Sequence, residues 1–314
     1  MSGAESDMAS HTEAPASRAR LQPRAPALLL ALMRLVRIEY CALGAVGVLL
    51  GAFLTTDAMP TTPVLLSAVA VFFVGAGCYA FDDLFDLDCD RLNGRADRPL
   101  VTGALSTRAA TIAGSISFVL AIAAAILAGA ASGILIAVGA IIAMAYNRWL
   151  RGVIPLKYVL FAAAFPTPLL IGWLAAGGTA GPLFLYFTGL VFIAGLGFET
   201  MIDVADAEGD RRAGVITFAT RYGTLLSSRL AATFHITAAV LVVLLFFLPV
   251  DARLQWNILF LGLATAAALS NSLIGIRLVR NHTTPRVFAL KRLGFLTLNA
   301  GMAAILPGLL IPMP

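Results

Sequence analysis

The sequence predicts an all-α polytopic membrane protein, a bundle of nine transmembrane helices. Hydrophobic residues make up 60% of the 314 residues and charged residues only 12%, a composition outside the range of soluble domains. Apolar stretches of roughly 18 or more residues recur along the chain, and that length suffices for a helix to cross the hydrocarbon core. Arginine and lysine concentrate in alternate loops between those stretches, as they do in polytopic proteins.

Apolar stretches account for most of the chain from residue 38 onward. The first predicted span follows an apolar segment, 27–36, which is either an interfacial helix or the first turns of that span. Short, turn-rich loops at 129–133 and 177–182 indicate that the helices they join are antiparallel neighbours. The nine predicted spans are 38–55, 63–81, 109–128, 131–146, 157–176, 182–199, 226–248, 256–276 and 292–312.

The chain divides into a tail and one membrane domain. Residues 1–25 mix Ser, Ala, Glu, Pro and Arg without apolar periodicity, which is typical of a disordered segment. Residues 26–314 contain no low-complexity tract and no separate soluble domain, so they are predicted to form a single helical domain. The first apolar run begins too late for a cleavable signal peptide.

The placement of basic residues predicts the orientation in the membrane. The loop 55–63 contains no arginine or lysine, whereas the tail before it and the loop after the second span contain several each. The positive-inside rule therefore places the N-terminus and the loop after the second span in the cytoplasm, and nine spans would leave the C-terminus outside. The net charge of +5 reflects this placement and does not indicate a nucleic-acid partner. We predict an integral protein of the cell or inner membrane whose site faces the cytoplasm.

Two clusters of aspartates lie at the ends of predicted spans, within residues 81–90 and 203–210. On a helix, the 4-residue spacing of Asp82, Asp86 and Asp90 places them on one face, as the mixed 3- and 4-residue spacing of the second cluster does. Like charges at this spacing repel, so each strip of carboxylates requires cations. The predicted metal ligands are Asp82, Asp83, Asp86 and Asp90 in the first cluster and Asp203, Asp206 and Asp210 in the second.

Carboxylate strips of this kind suit Mg²⁺, which binds a few carboxylates together with water and substrate phosphate oxygens. A diphosphate is the simplest substrate that requires two such strips. Ionisation of an allylic diphosphate leaves pyrophosphate, whose charge magnesium stabilises, and a carbocation that an apolar, aromatic interior shields from water. The candidates for direct diphosphate contact are Lys157, Arg98, Arg211 and Arg212.

Three further residues are assigned to the substrate site with a structural alternative for each. Glu199 lies one helical turn before Asp203, so it is either an intramembrane acid of the site or a partner that supports the cluster. Tyr146 and Asn147 close the predicted fourth span, where they either contact the substrate or anchor the helix at the membrane interface.

At these residues the chain resembles the UbiA superfamily of intramembrane prenyltransferases. Asp83, Asp86 and Asp90 match the family's Asn-Asp-x-x-Asp-x-x-x-Asp motif, with Asp82 in place of the leading Asn. The segment 97–103 is similar to the Arg-Pro-(Ile/Leu)-x-(Ser/Thr)-Gly continuation of that motif. The second aspartate segment is similar to the branch that contains digeranylgeranylglyceryl phosphate and chlorophyll synthases. The resemblance implies nine transmembrane helices, with magnesium and a prenyl diphosphate between the two motifs.

Three functions are compatible with these motifs. The first is magnesium-dependent transfer of a prenyl group from an isoprenyl diphosphate to an apolar or amphipathic acceptor. The enzyme would carry out this transfer within the membrane, in contact with membrane lipids. The second is a UbiA-type terpene cyclase, because some relatives use the same metal chemistry on a prenyl diphosphate without an acceptor. The third is a secondary transporter, whose paired acidic sites usually lie near the membrane midplane on broken helices. Both clusters here lie at predicted helix ends, which favours an enzyme.

Overall fold

The computed structural model describes residues 25–56, 60–92, 94–146, 149 and 153–311, which form helices and loops without a β-strand. The predicted tail lies outside the described residues except for Ala25, where the first helix begins. The helices are α1 (Ala25–Leu35), α2 (Ile38–Thr56), α3 (Thr62–Phe85), α4 (Leu87–Leu92), α5 (Thr107–Ala128), α6 (Ala130–Ala145), α7 (Leu156–Ala164), α8 (Thr167–Ala176), α9 (Pro182–Arg212), α10 (Phe218–Tyr222), α11 (Thr224–Leu244), α12 (Ile258–Arg280) and α13 (Thr284–Leu310).

Within the described residues, seven helices are long and apolar enough to cross a membrane, or eight if the bent pair α7–α8 counts as one span. The all-helical membrane fold is therefore confirmed, but the predicted count of nine spans is not reached. The difference lies at the predicted span 131–146, which corresponds to the 16 residues of α6. At the usual helical rise α6 is about 24 Å long, shorter than the hydrocarbon core of about 30 Å.

The predicted span 157–176 consists of two helices, α7 and α8, whose axes differ by 46°. Pro166 and Pro168 lie at and just after the break, where the missing backbone N–H of proline interrupts the helical hydrogen bonds least. Helix α7 packs closely on α9 at Gly195. A Cβ at Gly195 would lie 2.8 Å from the Phe165 ring. The bend allows α7 to follow α9 at its charged end.

Two helix pairs hold the aspartate clusters in corresponding positions. Helix α3, which ends next to the first cluster, packs along α5, and α9, which carries the second cluster, packs along α11. Helices α2 and α8 complete the first group, and α12 and α13 complete the second. The largest buried core joins the two groups through Leu50 of α2, Leu169 of α8, Phe187 of α9 and Phe260 of α12. This core fixes the two clusters relative to each other.

Helices α2 and α8 approach so closely that their contact requires glycine. A Cβ at Gly172 would lie 1.9 Å from the carbonyl oxygen of Val48, and one at Gly51 would lie 2.1 Å from that of Leu169. Small residues that admit such backbone contact are characteristic of helix interfaces in membranes.

Candidate active site

The first aspartate cluster spans a break between two helices. Helix α3 ends at Phe85, Asp86 caps it, and α4 begins at Leu87, so the first cluster does not lie on one continuous helix. The backbone nevertheless keeps helical hydrogen bonds, from Asp86 N to Asp82 O at 2.9 Å and from Asp90 N to Asp86 O at 2.8 Å. Aspartate is a poor helix former, and the repulsion between neighbouring carboxylates weakens the helix further.

Asp83, which lies off the predicted strip, is the centre of the first cluster. Its side chain is 1% exposed, and its Oδ1 accepts hydrogen bonds from Arg37 Nη2 at 2.9 Å and from Arg98 Nη1 at 2.6 Å. The same Arg37 nitrogen donates to Asp82 Oδ2 at 3.1 Å, and Arg98 Nε lies 3.4 Å from Asp90 Oδ2. Two guanidinium groups therefore hold three carboxylates together, and Asp86 lies half-buried beside them.

The cluster offers oxygen ligands without forming a closed cage. Asp83 Oδ2 is buried and has no hydrogen-bond partner. Among the described residues, no three His, Cys, Asp or Glu side chains converge on one point as a preformed metal site. Magnesium needs no such cage, because one or two carboxylates, water and phosphate oxygens complete its octahedron. The unpartnered oxygen and the hard donor set thus fit this ion.

Arg37 reaches the cluster from the turn between α1 and α2. Its backbone adopts the left-handed conformation, with φ of 49°, which costs an L-residue roughly 1–2 kcal/mol. Its guanidinium lies 4.5 Å from the ring centre of Tyr79 on α3, in cation–π contact. Arg37 is a site residue that sequence reasoning missed, because only the fold shows that this turn lies next to Asp83.

The second cluster is built on one continuous helix, α9, as predicted. Asp203 and Glu199 are 1% and 2% exposed. Lys157 of α7 donates to Asp203 Oδ1 and lies 3.2 Å from Glu199 Oε1. Tyr146 donates to the same glutamate oxygen at 3.4 Å. The structure therefore brings together Lys157, Glu199 and Tyr146, three of the candidate substrate-site residues, whereas Asn147 lies outside the described residues.

Tyr158 is a site residue that sequence reasoning missed. Its hydroxyl donates to Asp203 Oδ2 and accepts a 2.8 Å hydrogen bond from the backbone N–H of Phe218, the first residue of α10. The tyrosine therefore links α7 and α9 to the loop that follows α9. Its position next to Lys157 is the one signal in the sequence, since adjacent residues of a helix terminus can reach neighbouring oxygens.

Lys291 of α13 is a second residue that sequence reasoning missed. Its Nζ bonds both oxygens of Asp206, at 3.0 and 2.8 Å. The ammonium also lies 5.0 Å from the ring centre of Phe288, and the guanidinium of Arg95 lies 5.5 Å from the same ring. Helix α13 thus contacts the second cluster through Lys291 and the loop that follows the first cluster through Phe288.

Arg95 connects the two clusters electrostatically. It donates to both oxygens of Asp97, at 2.9 and 3.0 Å, and these hydrogen bonds hold the pKa of Asp97 down to about 2. Burial acts to lower the pKa of Arg95, but the hydrogen bonds and charge of Asp97, together with the charges of Asp206 and Asp90, raise that pKa above its ordinary value. Because Asp90 belongs to the first cluster and Asp206 to the second, the two clusters lie within electrostatic range of one guanidinium.

The last turn of α9 is more open. Asp210 is half-buried there, and Arg211 and Arg212 are exposed. Arg212 pairs with Glu208 at 2.8 Å on the helix surface. The structure thus places the predicted diphosphate contacts Arg211 and Arg212 away from the buried carboxylates, whereas Arg98 and Lys157 lie directly on them.

Comparison with known proteins agrees with this arrangement. Residues 45–299 match the UbiA prenyltransferase family. The chain is 30% identical to the digeranylgeranylglyceryl phosphate synthase of Methanopyrus kandleri over 239 residues, 76% of this chain and 86% of that protein. It is 31% identical to the protein of the same name from Archaeoglobus fulgidus over 223 residues, 70% of this chain and 76% of that protein.

Solved structures share the fold. A UbiA homologue from Aeropyrum pernix K1 gives a TM-score of 0.69 at 23% identity and covers 86% of this chain and 98% of that one. A UbiA homologue from Archaeoglobus fulgidus, described as bound to DMAPP and Mg²⁺, gives a TM-score of 0.63 at 19% identity and covers 88% of this chain and 99% of that one. The same homologue, described as bound to GPP and Mg²⁺, gives a TM-score of 0.61 at 20% identity and covers 88% of this chain and 99% of that one.

Proposed function

The chain belongs to the UbiA prenyltransferase family, and from this premise we propose that it transfers a prenyl group from an isoprenyl diphosphate to a lipophilic acceptor within the membrane. The observation that carries the proposal is the pair of carboxylate clusters, each neutralised by basic side chains and both within range of Arg95. Two such clusters suit one diphosphate and its magnesium ions. The binding of DMAPP and GPP with Mg²⁺ by a protein of the same fold supports this assignment.

Magnesium, when bound, neutralises diphosphate charge and acts as a Lewis acid toward the leaving group. The buried oxygen of Asp83 that has no partner marks the first position for an ion. The chain's own part is to supply oxygen ligands at fixed positions on both sides of the diphosphate. The residues that would hold the ions are Asp82, Asp83, Asp86 and Asp90 on one side and Asp203, Asp206 and Asp210 on the other.

The basic side chains that pair with the clusters would orient the diphosphate. Arginine can contact phosphate oxygens in a bidentate manner and lysine does so as a point charge. Arg98 and Lys157 keep the role predicted from the sequence, and Arg37 and Lys291 join them because each touches a cluster carboxylate. We assign no diphosphate contact to the exposed pair at the end of α9.

The transfer step needs a dry environment next to the second cluster. The C1–O bond of the donor breaks, pyrophosphate leaves with the bonding electrons, and C1 bonds to the acceptor nucleophile, which loses its proton. Three phenylalanines lie next to one another beside this cluster. The ring centres of Phe161 and Phe165 are 5.5 Å apart, and those of Phe165 and Phe198 are 5.9 Å apart. Their rings exclude water and present π faces to an allylic cation.

The relatives' names favour transfer over cyclisation. Digeranylgeranylglyceryl phosphate is a product in which isoprenoid groups are carried by a glyceryl phosphate, so a synthase of that name joins a donor to an acceptor. An amphipathic acceptor of glyceryl phosphate type is therefore our first candidate. With the basic loops in the cytoplasm, the active site would face the cytoplasm.

Product analysis tests the proposal. Purified protein in lipid nanodiscs is incubated with geranylgeranyl diphosphate and magnesium, with and without geranylgeranylglyceryl phosphate, and products are identified by mass spectrometry. We expect a coupled product that requires both the acceptor and magnesium. Cyclic terpene formed from the donor alone would establish a cyclase instead, and intact donor moved across a vesicle membrane would establish a transporter.

A further inference from the structure

A cavity of about 40 Å³ lies among α9, α11, α12 and α13, away from the carboxylate clusters. Its walls are largely apolar and include Phe198 and Met302, but three polar residues also line it: His235 of α11, Asn271 of α12 and Thr297 of α13. Phe198, one residue before Glu199, lines the cavity, and a Cβ at Gly294 of α13 would meet both Phe198 and Met201. None of the carboxylates of the two clusters lines the cavity.

His235 is held in one tautomer by Asn271. The Asn271 amide nitrogen donates to the backbone carbonyl of Ala267 at 3.1 Å, which turns its Oδ1 toward His235 Nδ1 at 3.0 Å. Because Asn271 Oδ1 only accepts, Nδ1 of His235 must carry the proton. Nε2 is then a bare acceptor. It is buried, in a residue that is 3% exposed, and has no hydrogen-bond partner in the described part of the chain.

The unpaired acceptor Nε2 of His235 limits which chemical groups can bind in this largely apolar cavity. A hydrocarbon chain would leave Nε2 unsatisfied, at the full desolvation cost of that atom. The lining residues include no carboxylate to neutralise an ammonium donor and no cation to accompany an acid. A neutral donor fits instead, and the apolar walls suit the hydroxyl of a lipophilic alcohol or phenol, which would displace water from Nε2.

We propose that this cavity binds the hydroxyl end of a lipophilic alcohol or phenol, with Nε2 of His235 as the hydrogen-bond acceptor and the α9 and α13 side chains as the apolar wall. The cavity begins at the level of Gly197, whose added Cβ would lie 3.4 Å from His235 Cδ2. Gly197 precedes Asp203 on α9 by about 9 Å of helical rise. The bound hydroxyl would thus lie on the apolar side of the diphosphate site.

Photolabelling of the full-length protein in nanodiscs tests the proposal. The probe is a diazirine-bearing decanol, and its matched control is the methyl ether, which keeps the oxygen and the chain but cannot donate. Labelled positions are located by mass spectrometry. We expect saturable labelling around Leu298 and Met302 of α13, with an affinity for the alcohol about fivefold or more above that for the ether, as for one net hydrogen bond.

The variant for this test replaces both hydrogen-bonding partners, as H235F together with N271L, so that neither polar group is left unpaired. Replacement of both partners by apolar groups of similar shape is expected to keep the protein folded, which thermal unfolding checks. We expect the double variant to bind alcohol and ether equally. Equal affinity in the wild type, a retained preference for the alcohol in the double variant, or labelling outside α9, α11, α12 and α13 would each overturn the proposal.

Two sources could supply the hydroxyl, and kinetics distinguishes them. If the acceptor substrate supplies it, the double variant raises KM for the acceptor at least fivefold and leaves KM for the donor unchanged. If a membrane lipid supplies it, both KM values stay unchanged while alcohol labelling is still lost. Because labelling is measured without turnover, failure of the proposed transferase activity would leave this test intact.

Discussion

At the scale of single residues, the first cluster depends on how Asp83 is neutralised. One oxygen accepts from two guanidinium groups, and the other is buried without a partner. An unpaired buried carboxylate oxygen is costly, and a metal ion is the ligand that uses such an oxygen most directly. Asp83 is thus the carboxylate at which loss of charge should affect both the fold and the binding of magnesium.

We predict that Asp83→Asn lowers turnover at least about 10–100-fold and raises the magnesium concentration required. The matched control is Asp88→Asn, because that side chain is 94% exposed and pairs with exposed Arg91. Turnover should stay within about twofold of wild type in the control, since surface ion pairs contribute little. Magnesium titrations of both variants make the comparison. Near-wild-type turnover of Asp83→Asn at limiting magnesium would remove Asp83 from the site.

Charge repulsion alone predicts that removal of a cluster carboxylate leaves stability unchanged. The two guanidinium contacts of Asp83 reverse this expectation. Asp83→Asn should lower the free energy of unfolding by about 1.5–3 kcal/mol, the range for hydrogen bonds to charged groups. Thermal unfolding without magnesium measures it, with Asp88→Asn as the reference.

Tyr158 provides a prediction about positioning. Tyr158→Phe removes the hydroxyl that joins Asp203 to the N–H of Phe218 and should lower kcat about five- to tenfold, as expected for one net hydrogen bond. The control is Tyr222→Phe, because Tyr222 is 51% exposed. Steady-state kinetics of both variants provides the measurement. An unchanged kcat for Tyr158→Phe, or an equal fall in the control, would contradict the positioning role.

The sequence predicts some site residues and misses others for a physical reason. Asp203 and Lys157 could be chosen because a carboxylate at helical spacing and a lysine at a span end are unusual in an apolar chain. Arg37, Tyr158 and Lys291 could not, because a basic residue in a basic segment and a tyrosine at a span end are ordinary, and nothing local indicates their partners 46, 45 and 85 residues away. Only the packing of α2, α7 and α13 brings those residues together.

At the scale of helices, close backbone contact fixes the geometry that positions the clusters. Helix α2 follows directly on the turn that carries Arg37, and α8 follows α7, which carries Lys157. The contact between α2 and α8 at Gly51 and Gly172 therefore links the positions of the basic residues that meet the two clusters. The hydrophobic effect drives helix association only weakly within lipid, so such close contacts largely determine which helices pack together.

We predict that Gly172→Ala destabilises the protein by about 1–3 kcal/mol, because the added methyl would overlap the carbonyl of Val48. Gly262→Ala in α12 is the control, since a Cβ there would meet nothing within 4 Å. Helix propensity alone favours alanine at both positions by up to about 1 kcal/mol. Thermal unfolding of the two variants should therefore shift in opposite directions. An equal or higher Tm for Gly172→Ala would refute the close contact.

Helix boundaries were predicted less well than helix existence. Every predicted span corresponds to helical structure, because long apolar runs dominate the pattern. The break at Asp86, the bend at Pro166 and the short length of α6 were not predicted. The break depends on repulsion between neighbouring charges, and the bend depends on how proline packs. The length of α6 depends on where an apolar run stops being helical. Hydropathy resolves none of these.

At the scale of the whole molecule, the paired arrangement of α3 with α5 and of α9 with α11 explains why two clusters share one site. Each cluster lies at the end of the first helix of its pair. From the positive-inside rule we propose that both ends face the cytoplasm and that the turn between α8 and α9 faces the other side. The side on which a diphosphate enters would then follow from the orientation of the two pairs.

We predict that single cysteines at Thr107 and Ala213 react only from the cytoplasmic side and one at Thr179 only from outside. These positions are exposed, and the loop containing Thr179 has no arginine or lysine. Membrane-impermeant maleimide on oriented vesicles makes the measurement, in a background whose native cysteines are replaced by alanine. Labelling of Thr179→Cys from the cytoplasm would contradict the orientation.

The account's central claim is that two carboxylate clusters hold one diphosphate together. Calorimetric binding of geranylgeranyl thiolodiphosphate, which is not turned over, tests it in the wild type, in Asp83→Asn, in Asp203→Asn and in the double variant. We predict magnesium-dependent binding in the wild type, at least about tenfold weaker binding in each single variant and little further loss in the double variant, because groups that act as a unit are not additive. Equal binding without magnesium, or wild-type affinity in either single variant, would contradict the claim.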